Sequence, residues 1–171
     1  MSGQTKSWTI EEMLAEEPRY SHRKIKRLFA GRTKLTLLEI LDLKIPAEDK
    51  IWCATLEKAL APKLLSILAQ KASKRANDYV DIQVAKNCRG PWAEQWLSGE
   101  DRSRSSVYEE LGRYQPEKGR PTVARAFDAA TTKQQAGKDN KLALFCAALC
   151  FPSLKKEFEQ QVEDLRQLLT K

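Results

Sequence analysis

Arg19, Arg23, Lys24, Lys26, Arg27, Arg32 and Lys34 lie in one stretch, RYSHRKIKRLFAGRTK, that holds no acidic residue. The net charge of the chain is +7, so these seven cations equal its whole charge excess. On a helix, Arg23, Lys24, Lys26 and Arg27 would cover the face opposite Ile25, Leu28 and Phe29. The chemistry open to such a face is recognition of something acidic. An acidic protein would be drawn in by complementary fields that raise the association rate. A phosphate backbone would be held through counterion release. The plain alternative is a solvated face, partly neutralised by Glu11, Glu12, Glu16 and Glu17 nearby. Arg102 and Arg104, set among Ser103, Ser105 and Ser106, form a smaller basic patch that could supply secondary contacts or serve as a phosphorylation or phosphate-contact site. That segment also reads as a loop, the usual place for exposed polar residues.

Residues for turnover are hard to assemble, and the expectation is no catalytic residue, no metal and no cofactor. His22 is the only histidine; it sits among cations, and a surface or capping role is expected of it. The four cysteines, Cys53, Cys88, Cys146 and Cys150, lack the C-x-x-C pairing of a zinc site. Cys146 and Cys150 are spaced as two core positions on one helix face, and all four thiols are expected to be reduced. Gly112 and Gly119 lack the ending of a phosphate-binding loop, and no G-x-S-x-G occurs. Trp92 and Trp96, one helical turn apart, read as core residues that pin the middle of the chain, with a binding hot spot as the alternative.

The elements that must carry these residues are helices. A chain of 171 residues with 42% hydrophobic and 31% charged residues fits one folded domain. Its longest apolar run, Leu142–Phe151, falls well short of the roughly 18 residues of a membrane span. The polar N-terminus lacks the apolar core of a signal peptide, and a cytoplasmic location with no membrane partner is expected. Thr9 with Glu12, and Thr36 with Glu39, form capping boxes. Ser21 can cap a helix over His22–Ala30, and Gly31 can close it. Pro46 and Pro62 are placed as first residues of helices, the former running to Ala59. Gly90-Pro91 interrupts the chain before a short helix that closes at Gly99. Glu100–Pro121 reads as loop around a helix near Val107–Arg113. Two helices finish the chain, Thr122–Gln134 and Asn140–Leu169, the second kinked or split by Pro152. Leu154, Phe158, Val162, Leu165 and Leu169 form an apolar stripe at helical spacing. No strand is expected. The fold class is therefore all-α: an irregular bundle of about six to eight helices, with residues 1–34 a basic helical extension packed on a domain of residues 35–171.

The segment LTLLEILDLKIPAEDKIWCATLEKAL, Leu35–Leu60, resembles a family of small all-helical immunity proteins. The shared features are an L-x-x-I-L-x-L helix, the I-P-A-E-D-K linker at Ile45–Lys50, and Trp52 just after it. Trp96–Glu100, WLSGE, and Lys155–Leu169, KKEFEQQVEDLRQLL, are similar to later parts of those proteins. The long alanine-rich stretch usual in the family is represented only by ARAFDAA and LALFCAALC, and residues 1–34 lie outside the likeness. The resemblance implies an all-helical fold and a non-catalytic binder that neutralises a partner protein such as a toxin, without fixing which one; it is the basic face that makes an acidic toxin or effector the expected partner. Two other readings remain beside it. One is a nucleic-acid-binding module that uses Arg19–Lys34. The other is an inhibitor from a phage or mobile element that blocks a nucleic-acid-handling complex.

Overall fold

A computed structural model describes residues 7–16, 20–113 and 119–171. The protein is all-α, 72% helical, with ten helices and one two-stranded ladder among the described residues. The chain divides into two compact units, Met1–Leu65 with Phe158–Lys171, and Ser66–Glu157.

The first unit opens with strand β1 (Ser7–Thr9) and helix α1 (Ile10–Ala15), followed by α2 (His22–Phe29), β2 (Lys34–Thr36), α3 (Leu37–Asp42) and α4 (Ala47–Ala54). β1 and β2 pair antiparallel with Trp8 opposite Leu35, and both side chains are buried. This ladder was not expected. Its strands are three residues long, too short to show an alternating pattern. Their last residues, Thr9 and Thr36, are also helix N-caps, and both are extended. An N-cap requires that backbone conformation, so the strand geometry comes with the caps. Both capping boxes are complete: Thr9 N donates to Glu12 at 2.9 Å and Thr36 N to Glu39 at 2.7 Å. Hydrogen bonding to Thr36, first through its backbone, holds the Glu39 carboxyl below its usual range.

α2 is capped by Ser21 as expected, Lys24 N donating to Ser21 Oγ at 3.3 Å. Its end differs slightly from expectation: Ala30 and Gly31 both take positive φ, 48° and 80°. α4 stops at Ala54 rather than Ala59, and Lys58 beyond it turns the chain at φ 64°.

Helix α5 (Pro62–Asn87) starts at Pro62, and the unit boundary falls within it. The second unit continues with α6 (Pro91–Ser98), α7 (Arg104–Gly112), α8 (Arg120–Gln135), α9 (Asn140–Leu149) and the first residues of α10 (Leu154–Leu169). α8 packs on α7 and α9. Ala126, Ala129, Ala143 and Ala147 are fully buried, and such small side chains let helix backbones come close. Polar side chains then bond directly to backbone: Asn77 Nδ2 donates to Ala129 O at 3.1 Å, and Thr132 Oγ1 to Ala143 O at 2.8 Å. Pro152 splits the last two helices, since its ring and missing N–H cannot continue α9.

The buried face of α10 departs from the expected stripe. Phe158 and Leu165 are buried and Val162 and Leu169 half-buried, but Leu154 is exposed. Glu157, Gln161 and Asp164 are buried in addition. The face is therefore turned by about one residue toward polar positions. At its start, Glu157 accepts from Arg75 at 2.7 Å, so a charge that sequence pattern assigns to solvent is paired inside instead.

Asp128 on α8 is half-buried, and burial alone lifts its carboxyl to about 6. Its folded value thus exceeds the ordinary one, so ionisation opposes folding. The wild type should lose stability relative to Asp128→Asn as pH rises from 4 through 6, and the two should converge below pH 4. With the carboxyl still partly solvated, the difference at pH 7 should be about 1 kcal/mol. Urea unfolding across this pH range measures it, and a pH-independent difference would contradict the assignment.

Candidate functional site

α2 is held by its apolar side. Ile25 and Phe29 are buried and Leu28 is half-buried, where full burial was expected. The space bordered by Ile25, Phe29, Leu35, Ile40 and Trp52 is small, about 20 Å³, and lined by apolar side chains. The inner side of α2 is therefore packed core, and its outward side is the surface available for contact.

That outward side carries the cations. Arg23, Lys24, Lys26 and Arg27 on the helix, and Arg32 and Lys34 beyond it, are all exposed. Arg19 lies outside the described residues. Arg32 is partly engaged: its Nε donates to Phe29 O at 3.1 Å, and its Nη1 lies 3.3 Å from Glu39. Lys24 Nζ sits 3.9 Å from the centre of the Tyr20 ring, and the Tyr20 hydroxyl donates to Asp49. Among the described residues, Arg23, Lys24, Lys26, Arg27 and Lys34 make no ion pair. The acids of α1 therefore do not neutralise this face through direct pairs among the described residues.

The placement of these charges is not what helix stability favours. Lys26 and Arg27 lie in the last turn, where cations suit the helix dipole. Arg23 and Lys24 lie in the first turn, where they oppose it, and no acid offsets them there. Packing of Ile25 and Phe29 holds the helix in spite of this.

Arg102 and Arg104 lie in the second unit and differ from each other. Arg102 is largely built in: its guanidinium pairs with Asp81 and lies 4.7 Å from the centre of the Trp96 ring. Burial lowers its pKa first of all. Arg104 is exposed at the start of α7, its guanidinium over Phe127 at 4.8 Å. Ser103 is the N-cap of α7, accepting from Ser106 N at 3.2 Å. The loop expected here is thus a helix from Arg104 onward. Trp92 and Trp96 are core residues, both buried, with ring centres 5.7 Å apart. The residues that sequence reading missed are Tyr108 and Lys133, which line one cleft with Arg102 and Arg104, and Asn77, which lines a second with Arg102 and Lys133. Tyr108 lies one turn after Arg104 on α7, whereas Lys133 and Asn77 come from α8 and α5 and meet it only through helix packing.

His22 is exposed. No group of three His, Cys, Asp or Glu side chains among the described residues could hold a metal ion. All four cysteines are buried and none is in a disulfide. Burial pushes the Cys146 thiol up to about 11 and also raises Cys88 and Cys150. Such thiols are poor nucleophiles near neutral pH. A thiol reagent should therefore label the native protein slowly and count four thiols once it is unfolded; rapid labelling of Cys146 or Cys150 in the folded state would contradict this. No described helix is long and apolar enough to cross a membrane.

Comparison with family models, with curated proteins and with solved structures finds no match for this chain.

Proposed function

We propose that this protein is a non-catalytic binder of the immunity or inhibitor type, and that the outward face of α2 docks on an acidic partner protein, a toxin or effector, and neutralises it. The observation that carries this reading is the set of exposed cations Arg23, Lys24, Lys26 and Arg27 without acid partners among the described residues, on a helix fixed from below by Ile25 and Phe29. A charged surface on a firmly packed element loses little freedom on binding. Its field also steers an acidic partner toward the right face before contact. The resemblance of Leu35–Leu60 to immunity proteins points the same way and places the cations just outside the shared segment. Neutralisation would then follow from covering the partner's working surface.

A second reading is recognition of nucleic acid, or of the groove of a nucleic-acid-handling complex. It is favoured by the absence of any acid between Arg19 and Lys34, because every cation of such a stretch can neutralise a phosphate and release counterions.

Capture from extract of the native host, with and without nuclease treatment, separates these readings. The parent chain and the R23E/K24E/K26E/R27E variant serve as baits, and mass spectrometry identifies what each retains. The expected result is an acidic protein held by the parent and lost by the variant. Retention of the same proteins by both baits would contradict the proposal. Loss of all capture on nuclease treatment would favour the second reading.

A further inference from the structure

Helix α9 of the second unit is apolar on every side. Its residues from Leu142 to Leu149 read LALFCAAL, a run of more than two helical turns. The inward side is accounted for: Ala143, Leu144, Ala147 and Ala148 are fully buried, and Cys146 is nearly so. The outward side is not. Leu142 is 41% exposed, Leu149 is 48% exposed, and Phe145 is half-buried. Spacings of three and four place these three in one row along the helix. A surface helix ordinarily turns polar residues outward, and a helix apolar all round is ordinarily covered. α5 shows the usual case, its outward row being Gln70, Lys74 and Asp78. A partner that covers Leu142, Phe145 and Leu149 gains the hydrophobic free energy that folding leaves unused.

The charges beside the row define the partner that fits. Lys141 lies on the same outward side, one turn before Phe145, and Lys138 precedes the helix. Both are exposed, and neither makes an ion pair among the described residues. Beyond Pro152, Lys155 and Lys156 are exposed as well. From Lys138 to Lys156 the only acid is Asp139, and its carboxylate is engaged as the N-cap of α9, accepting from Leu142 N at 3.0 Å. The charge of Asp128 on α8 acts on Cys146 and Cys150, which belong to the buried side. A second copy of the chain is a poor occupant, since it would set lysines against lysines on a protein of net charge +7. A lysine-bordered apolar row instead suits a helix with apolar residues at the same spacing and acids around them.

We propose that the outward row of α9 is a docking surface for an acidic amphipathic helix of a partner protein. Leu142, Phe145 and Leu149 take the apolar side of that helix, and Lys138 and Lys141 meet its acids. This surface belongs to the second unit and is independent of the α2 face.

Nuclear magnetic resonance titration of the full chain tests this with three synthetic peptides of about 18 residues, above the length below which isolated helices are marginal. One carries leucine at alternating spacings of three and four with glutamate between. The second replaces those leucines by serine, and the third replaces the glutamates by lysine. The acidic leucine peptide should shift the amides of Leu142–Leu149 with a Kd below about 100 μM, and the other two should bind at least about tenfold more weakly. Leu142 and Leu149 are exposed, so L142S/L149S should keep the fold by circular dichroism and weaken binding about tenfold or more. K138E/K141E should weaken it about threefold or more. The R23E/K24E/K26E/R27E variant should show the same α9 shifts as the parent, which separates this surface from the α2 face. The proposal is overturned if the acidic leucine peptide leaves these amides unshifted, if either control peptide binds them as tightly, or if L142S/L149S binds like the parent. Sedimentation of the parent as a dimer and of L142S/L149S as a monomer would also overturn it, by making a second copy the occupant.

Discussion

Trp96→Ala should destabilise the protein by about 3–5 kcal/mol, the range for removing a large aromatic side chain from a core. Trp96 is fully buried and packs against Trp92. Its Nε1 donates to Asp81 at 2.9 Å, and the Arg102 guanidinium lies over its ring. Truncation would leave a void, remove one donor from Asp81 and take away the surface that supports Arg102. Trp96→Phe keeps most of the volume but not the N–H, so its cost should fall to about 1–2 kcal/mol. Urea unfolding of the two variants checks the ordering. An alanine variant within 1 kcal/mol of the parent would show that this cluster does not hold the second unit together.

The second large effect is on binding, not on folding. Reversing Arg23, Lys24, Lys26 and Arg27 to glutamate should change stability by no more than about 0.5 kcal/mol per site, as is usual for exposed positions. Glutamate at positions 23 and 24 suits the N-terminal end of the helix dipole, whereas at 26 and 27 it opposes the C-terminal end. These effects should largely cancel. Partner affinity, by contrast, should fall by at least about 100-fold, near 3 kcal/mol, because four attractions become four repulsions at one surface. Calorimetric or optical titration of the isolated partner with the two forms reads this directly. Unchanged folding with lost binding is the expected pair of results.

Much of this architecture was legible because its signals are local. The capping boxes of Thr9 with Glu12 and Thr36 with Glu39 join residues one turn apart, and both form. Pro62, Pro91, Gly99 and Pro152 act on their own backbone, so the helix boundaries beside them could be read in advance. The two sides of α2 follow from spacing alone, and the exposure of its cations agrees. What escaped depends on partners distant in sequence. The Trp8–Leu35 ladder joins two segments that each look like a helix start. The buried face of α10 turns because Glu157 meets Arg75, 82 positions away. The two units could not be separated by composition, since their boundaries fall inside α5 and α10, both of which read as continuous helices. The cleft beside Arg104 is likewise invisible until α8 brings Lys133 to it.

The central claim, that the outward face of α2 docks on an acidic protein, is tested most directly by association kinetics against the captured partner as ionic strength is varied. Exposed charges are screened over roughly 10 Å at 0.1 M salt and roughly 3 Å at 1 M. The association rate constant of the parent should therefore fall by about tenfold or more across that range, with a much smaller change in dissociation rate. The R23E/K24E/K26E/R27E form should associate slowly throughout, and salt should speed it instead. Duplex DNA should not displace the partner. If the reversed form associates as fast as the parent at low salt, or if DNA competes for the same face, then α2 is not the docking surface for an acidic protein.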